Sequence, residues 1–302
     1  GLAKYYYDWL AHPDFDEYWQ KLCIEDRHSG IEVPAMHTGG WYDIFLGGTI
    51  RNYLGMKESG ANETARSGQR LVIGPWAHGA RGSTMVGRHY FGIMADPAAT
   101  DIDGMHLRWF DHWLNDGKNG ITEEAPVRIF VMGDDVWREE QEWPLARAQE
   151  SKYYLHSGGK ANSTNGDGSL GTDGPQAEPP DVFLYNPADP VPTTGGALCC
   201  NPYYAANGAY DQNEVEERQD VLVYSTPPLE RDVEVTGPVT VTLWASTSAT
   251  DTDFTAKLVD VCENGCARNL TDGILRARYR QPRQPASLIQ PDDVNEYRID
   301  LW

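Results

Sequence analysis

The chain has 302 residues and 33.7 kDa, with 40% hydrophobic and 23% charged residues. This suits about two globular domains and excludes wholesale disorder. Its 25 basic and 45 acidic side chains leave a net charge of −20, which repels phosphate backbones and anionic lipid and so excludes nucleic acid and membrane as first partners. No apolar run approaches the ~20 residues of a membrane-spanning helix.

The opening GLAKYYYDWL has no Met, no basic n-region and no apolar h-region, so no signal peptide is visible. Residues 1–30 place Trp9, Leu10, Tyr18, Trp19 and Leu22 at helical spacing, interrupted by His12-Pro13, which predicts two short helices. Residues 31–36 (IEVPAM) are a short apolar run ahead of His37-Thr38-Gly39-Gly40, which predicts a buried strand running into a glycine turn. Leu46, Ile50 and Leu54 then mark an amphipathic helix ending near Gly60. Residues 71–73 (LVI) predict a second buried strand that stops at Gly74-Pro75. Strand, turn, helix, strand, turn is the order of a βαβ unit in a parallel sheet. Residues 104–115 read as a helix with Leu107, Phe110 and Leu114 on one face and Trp109 and Trp113 beside it. Residues 126–132 (PVRIFVM) fit a further strand, closed by a turn at Gly133-Asp134-Asp135.

The character changes near residue 150. Residues 157–180 are rich in Gly, Ser, Asn, Asp and Pro and predict a long surface loop. Short alternating runs follow at 221–224, 239–244, 256–261 and 274–279, the pattern of an antiparallel sandwich or jelly roll. Residues 296–302 (EYRIDLW) read as a strand beginning. The expectation is that both ends are cut from a longer protein.

Five cysteines, Cys23, Cys199, Cys200, Cys262 and Cys266, are too few for a disulfide scaffold of this length. Cys199 and Cys200 are adjacent, a geometry that rarely bridges without strain. Cys262 and Cys266 flank a hairpin turn across which a bridge is conceivable. No Cys/His spacing suits zinc, and no metal or cofactor is expected. His106 and His112 are six apart and do not share a helical face. Asp251 and Asp253 are a weak calcium signal beside the simpler reading of turn hydrogen bonds.

Two residues stand out for chemistry. Asp43 follows the first strand in Gly40-Trp41-Tyr42-Asp43, and His78 follows the second in Gly74-Pro75-Trp76-Ala77-His78. Functional groups of open parallel sheets collect at the carboxyl ends of strands. An acid and then a histidine on successive strand ends is the second half of a Ser…Asp…His triad in α/β-hydrolase order. His78 would take the nucleophile's proton and pass it to the leaving group, and Asp43 would fix the histidine tautomer. The plainer alternatives are a helix-capping Asp43 and a hydrogen-bonded loop histidine. His37, before Asp43, could line the site, although a structural role is simpler. Trp41 and Trp76 could stack on substrate, with packing as the competing reading.

The segments MHTGGWYDIFLGGTIRNYLGM (36–56) and LVIGPWAHG (71–79) closely resemble the acid and histidine segments of the cocaine-esterase-like hydrolases, grouped with the X-Pro dipeptidyl-peptidases and α-amino-acid ester hydrolases. LRWFDHWLNDGKNGI (107–121), VRIFVMGDDVWREEQEWPLA (127–146), DTDFTAKLVDV (251–261) and NLTDGILRARYR (269–280) are similar to the same family. The resemblance implies the end of a helical cap over 1–30, the second half of an α/β-hydrolase domain with a mostly parallel sheet over 31–148, and a C-terminal jelly-roll domain over 149–302. It implies Asp43 as triad acid and His78 as triad base. It also implies Phe45 as an acyl-pocket residue, and Trp41 is carried beside it as a substrate-binding candidate.

No serine here stands in a G-x-S-x-G elbow: Ser29 is in RHSGIE, Ser59 in KESGAN and Ser83 in RGSTMV. The family's nucleophile and oxyanion hole lie upstream of the acid, so this chain is expected to be inactive alone. Ile44, Phe45, Leu46 and Gly47 after Asp43 are all neutral, whereas amino-ester hydrolases of the family carry acids shortly after theirs. That tilts the expected substrate toward a neutral or aromatic acyl ester, with amide or X-Pro peptide hydrolysis as the alternative. A binding jelly roll on an inactive scaffold is the reading from another class. Oligomeric state and compartment are left open.

Overall fold

The computed structural model describes residues 3–199, 201 and 203–302. Two short helices, α1 (Lys4–Ala11) and α2 (Glu17–Gln20), precede a 3-10 turn at Glu25–Gly30. Then come β1 (Met36–Tyr42), α3 (Leu46–Ser59), α4 (Glu63–Ser67) and β2 (Arg70–Ala77). A small hairpin, β3 (Met85–Val86) and β4 (His89–Tyr90), leads to α5 (Pro97–Thr100), α6 (Ile102–Asn115), β5 (Val127–Val131) and β6 (Val136–Glu140). The rest is β-rich: β7 (Tyr154–His156), β8 (Ser169–Gly171), the short α7 (Asn213–Glu216), β9 (Thr240–Ala245), β10 (Asp253–Val261), β11 (Ala267–Arg276) and β12 (Asn295–Asp300).

One four-stranded sheet, in the order β1-β2-β5-β6, holds the first half together. β1, β2 and β5 are parallel, and β6 returns antiparallel to β5. Both leading strands differ in extent from the sequence reading. The glycines taken as a turn, Gly39 and Gly40, lie inside β1, and β2 runs on through Gly74 and Pro75 to Ala77. The cause is close approach of the two backbones. A Cβ on Gly40 would stand 2.1 Å from the Trp76 carbonyl oxygen, so only glycine lets β2 come this near. Gly40 pairs with Gly74 but Tyr42 pairs with Ala77. Pro75 and Trp76 therefore oppose Trp41 alone, a bulge where the missing N–H of Pro75 is tolerated.

Alternate residues of β2 fill two cores, as the period of a strand requires. Leu71 and Ile73 pack with Val127, Ile129, Leu46 and Tyr53 on the α3 side. Val72 packs with Trp76, Ile102 and Met105 on the α6 side. Each such aliphatic side chain contributes about 1.5–3 kcal/mol by leaving water. The buried face of α6 is Ile102, Met105 and Trp109, of which Ile102 and Met105 meet the sheet, and the row of Leu107, Phe110 and Leu114 noted in the sequence turns outward. That second row is 74%, 56% and 75% exposed. Both rows are apolar at helical spacing, and spacing alone does not choose between them.

In the β-rich half, β10 and β11 form an antiparallel hairpin, and β9 pairs with β12. β12 also lies against β11. The Cys262–Cys266 turn closes the hairpin through Cys262 N–H to the Cys266 carbonyl at 2.9 Å, with Gly265 at φ +82°. Cys262 and Cys266 are free thiols there. Cys199 is disulfide-bonded, and Cys200 lies outside the described residues. Residues 221–224 form no strand; Leu222 makes a single bridge to Asn162. The run 274–279 is divided, with β11 ending at Arg276 and Ala277–Tyr279 turning as a 3-10 helix.

Candidate active site

The last pair of the β1–β2 ladder is Tyr42 opposite Ala77, and the next residue on each strand is Asp43 and His78. The bulge at Pro75-Trp76 puts these two side by side. His78 Nδ1 lies 3.2 Å from each carboxylate oxygen of Asp43. A carboxylate only accepts, so the shared proton belongs on Nδ1 and leaves Nε2 with a lone pair. Oδ1 of Asp43 also accepts the Phe45 amide at 2.8 Å, which fixes the carboxylate at the entrance to α3. Asp43 does not cap α3, whose N-cap is Phe45 with no side-chain cap bond; its carboxylate instead closes a turn onto Phe45 while it meets His78. The Asp43 side chain is 17% exposed and that of His78 is 40% exposed. Nε2 makes no hydrogen bond among the described residues. A neutral imidazole held in this way can accept a proton at Nε2.

Phe45 meets His78 edge-to-face, with ring centroids 4.9 Å apart. It is 57% exposed, so one face of its ring is free beside the histidine. Trp41 is placed differently. Its Nε1–H donates to the Phe130 carbonyl at 2.7 Å and its ring meets Trp143 at 5.9 Å. Trp76 is buried, with its indole N–H directed to the Ala95 carbonyl. His37 sits inside β1, its Nε2 2.7 Å from the Gln69 amide oxygen. Burial pushes its pKa below the ordinary value. His112 Nδ1 donates to the Gly117 carbonyl at 3.0 Å, behind the end of α6. Asp251 and Asp253 each pair with an arginine, Arg278 at 2.5 Å and Arg276 at 2.8 Å. The structure therefore brings together Asp43, His78 and Phe45 and ties the other candidates into packing or ion pairs.

The sequence reading missed what stands behind the acid. Tyr42 is 1% exposed and its hydroxyl donates to the Asn269 carbonyl at 3.0 Å. Burial drives its phenol pKa well above the ordinary value, so it remains a donor. Beyond it, Arg268 donates to the ring of His89 at 2.8 Å. These contacts join residues 227 and 179 positions apart, and no local pattern announces them.

A mostly parallel sheet, helices on both faces, an acid and a histidine at neighbouring strand ends and a β-rich second half make up an α/β-hydrolase part with a C-terminal β domain. Residues 2–80 match the X-Pro dipeptidyl-peptidase (S15) family, and residues 119–302 match the X-Pro dipeptidyl-peptidase C-terminal non-catalytic domain. The chain belongs to the family that joins cocaine-esterase-like hydrolases, X-Pro dipeptidyl-peptidases and α-amino-acid ester hydrolases, which is of serine hydrolase type. It is 42% identical to a cocaine esterase from Rhodococcus sp. (strain MB1 Bresler) over 97% of this chain and 49% of that protein. An aminopeptidase from a marine sediment Thaumarchaeota archaeon superposes with TM-score 0.77 at 27% identity, over 98% of this chain and 49% of the other. An α-amino-acid ester hydrolase shares the fold with TM-score 0.81 at 24% identity, over 99% and 50%. The chain thus spans about half the length of these relatives.

Proposed function

We propose that this chain supplies the acid and base of a Ser-His-Asp triad, Asp43 and His78, to a serine hydrolase that cleaves carboxylic esters or amides. The observation that carries this reading is the Nδ1 contact of His78 with both oxygens of Asp43, made on adjacent strand ends with Nε2 open. In the reaction, Nε2 takes the proton of a serine hydroxyl as its oxygen attacks the acyl carbon. The same nitrogen then gives the proton to the departing alkoxide or amine. Asp43 holds the ring and stabilises the imidazolium that forms between those steps. The serine and the oxyanion donors belong to polypeptide outside these 302 residues, because no serine here stands in a nucleophile elbow. By itself the chain is inactive.

Phe45 forms one wall for the acyl group, and Trp41, held by Phe130 and Trp143, steadies the end of β1 that leads into the turn carrying it. Ile44, Phe45, Leu46 and Gly47 offer no charge to a free α-amino group, which favours a neutral or aromatic acyl ester. The 42% identity to a cocaine esterase supports the same choice. X-Pro dipeptide release is the second reading, favoured by the S15 family match. Hydrolysis of an aryl ester against an X-Pro anilide by the complete protein separates the two. The β-rich half is read as a jelly roll, on the strength of its antiparallel pairs β9–β12 and β10–β11. Glycan or partner binding without hydrolysis by the complete protein would favour the non-catalytic alternative.

The test is intact-mass analysis after exposure to a fluorophosphonate. The expected result is no adduct on this chain and one adduct on the complete protein, lost in Asp43→Asn and in His78→Ala. A stoichiometric adduct on the 302-residue chain alone would overturn the assignment of the nucleophile.

A further inference from the structure

The β-rich half reaches both strand ends that carry the site. Tyr42, immediately before Asp43, donates its hydroxyl to the Asn269 carbonyl in β11. Asn269 is itself 1% exposed. Its Oδ1 accepts the Tyr210 amide at 2.7 Å, its Nδ2 donates to the Gly208 carbonyl at 3.3 Å, and its own amide donates to the Tyr210 carbonyl at 3.3 Å. The segment so held runs on to the hairpin that follows His78. Ala209 accepts from the Arg88 amide at 2.8 Å and donates to the Val86 carbonyl at 3.3 Å. Gly208 is at φ +103°, and a Cβ there would stand 2.5 Å from Gly87 N, so these two backbones meet only because glycine is present. The Asn269 carbonyl lies beside a register shift in the β10–β11 ladder, a place where a strand re-aims its groups.

From this arrangement we infer that Tyr42 is a positioning residue for the Asp43–His78 pair, with Asn269 as its anchor in the β-rich half. The inference rests on the triad reading above. A buried hydroxyl whose one partner is a carbonyl of another fold unit fixes the end of β1 laterally. The side chain one residue on, Asp43, inherits that position, and with it the hold on His78 Nδ1. The C-terminal half then acts on catalysis without touching substrate.

The readout is the tautomer of His78 in the 15N-labelled chain, seen in long-range 1H–15N spectra and assigned by its loss in His78→Gln. The expected result for the intact chain is the Nδ1–H form. Tyr42→Phe removes one oxygen and no ring, and the expected result is loss of the pure Nδ1–H pattern, with the Nε2–H form appearing beside it while near-UV circular dichroism is retained. Tyr224→Phe is the control. It deletes a different, partly buried hydroxyl, bonded at 2.7 Å to Asp181, and is expected to leave His78 unchanged. An unaltered His78 pattern in folded Tyr42→Phe overturns the inference. If that variant does not fold, Asn269→Ala decides: it frees the 208–210 segment, and the same change in His78 is expected, with no change overturning the role. Asp43→Asn separates the two levels of the argument. A change there with none in Tyr42→Phe removes only the positioning role. No change in either removes the acid–base pair as well.

Discussion

Tyr42 and Ala77 form the last rung of the parallel ladder between β1 and β2, one residue out of step with the rungs before it. That single displacement sets Asp43 beside His78. Had the ladder kept the register of Gly40 and Gly74, Asp43 would stand opposite Ala77. The pair therefore depends on how tightly the strands approach at Gly40.

Gly40→Ala tests this dependence. Its methyl would meet the Trp76 backbone rather than a movable side chain, so the strands must part. The expected cost is at least about 1–3 kcal/mol in a denaturant melt, as for other overpacked cores. Gly48→Ala, where a Cβ meets nothing within 4 Å, is expected to leave the midpoint unchanged or raised.

Asp43→Asn in the complete protein should lower kcat for a neutral aryl ester by about 10⁴-fold, the scale at which a triad acid acts through the histidine tautomer. Steady-state kinetics with stability measured in parallel would check it. A loss of less than about tenfold, roughly 1.4 kcal/mol, would be too small for a triad acid.

Phe45→Ala should weaken an aromatic acyl substrate more than an acetyl one, because the deleted ring stands free beside His78. Removing such a wall costs about 1–3 kcal/mol of discrimination, or 10–200-fold in kcat/KM. Equal loss for both acyl groups would assign Phe45 to structure alone.

Acid should loosen the join between the two halves. Arg138 on β6 forms a two-pronged contact with Glu234 at 2.7 and 2.9 Å. The Arg138 guanidinium, helped by the Thr236 hydroxyl, holds the Glu234 pKa down at about 2 against an ordinary 4.5. The folded state thus binds this proton less readily than the unfolded chain, so the contact stabilises fully above about pH 4.5. Its contribution fades as pH falls toward about 2. Melting temperature should drop across that window, and less steeply in Glu234→Gln. Parallel curves for the two proteins would remove the contact from the account.

Tyr297 offers the reverse of Tyr42. It is fully buried against Phe254, and its hydroxyl finds no partner among the described residues. Tyr297→Phe should be neutral or stabilising, since it removes an unpaid desolvation of about 1–3 kcal/mol. Tyr297→Ala should cost about 3–5 kcal/mol. Thermal melts of both decide the matter.

Much of the first half was legible because its signals are local. The apolar spacing of Leu46, Ile50 and Leu54 and the short run at 71–73 pointed to a βαβ unit, whereas of the run at 31–36 only Met36 lies in a strand. What local signals missed was set by contact. Gly39, Gly40, Gly74 and Pro75 carry turn propensity, yet the strands run through them because the backbones touch at Gly40 and Trp76. The Asp43–His78 pair was visible as an order of residues, while the bulge that aligns it was not. Tyr42 and Asn269 gave no sign of each other, being joined only by tertiary folding. On α6, two apolar rows competed, and only the packing of Val72 and Trp76 decided which one turned inward.

The row left outside has a practical meaning for anyone handling this chain. Leu107, Phe110 and Leu114 form an oily strip, and the outer edge of β1 offers unpaired backbone among the described residues; each invites another copy to settle on it. The −20 charge opposes that, and its reach shrinks from about 30 Å in 10 mM salt to about 3 Å in 1 M. Ionic strength should therefore govern self-association: dilute buffer is expected to keep molecules apart and a high-salt step to let them meet.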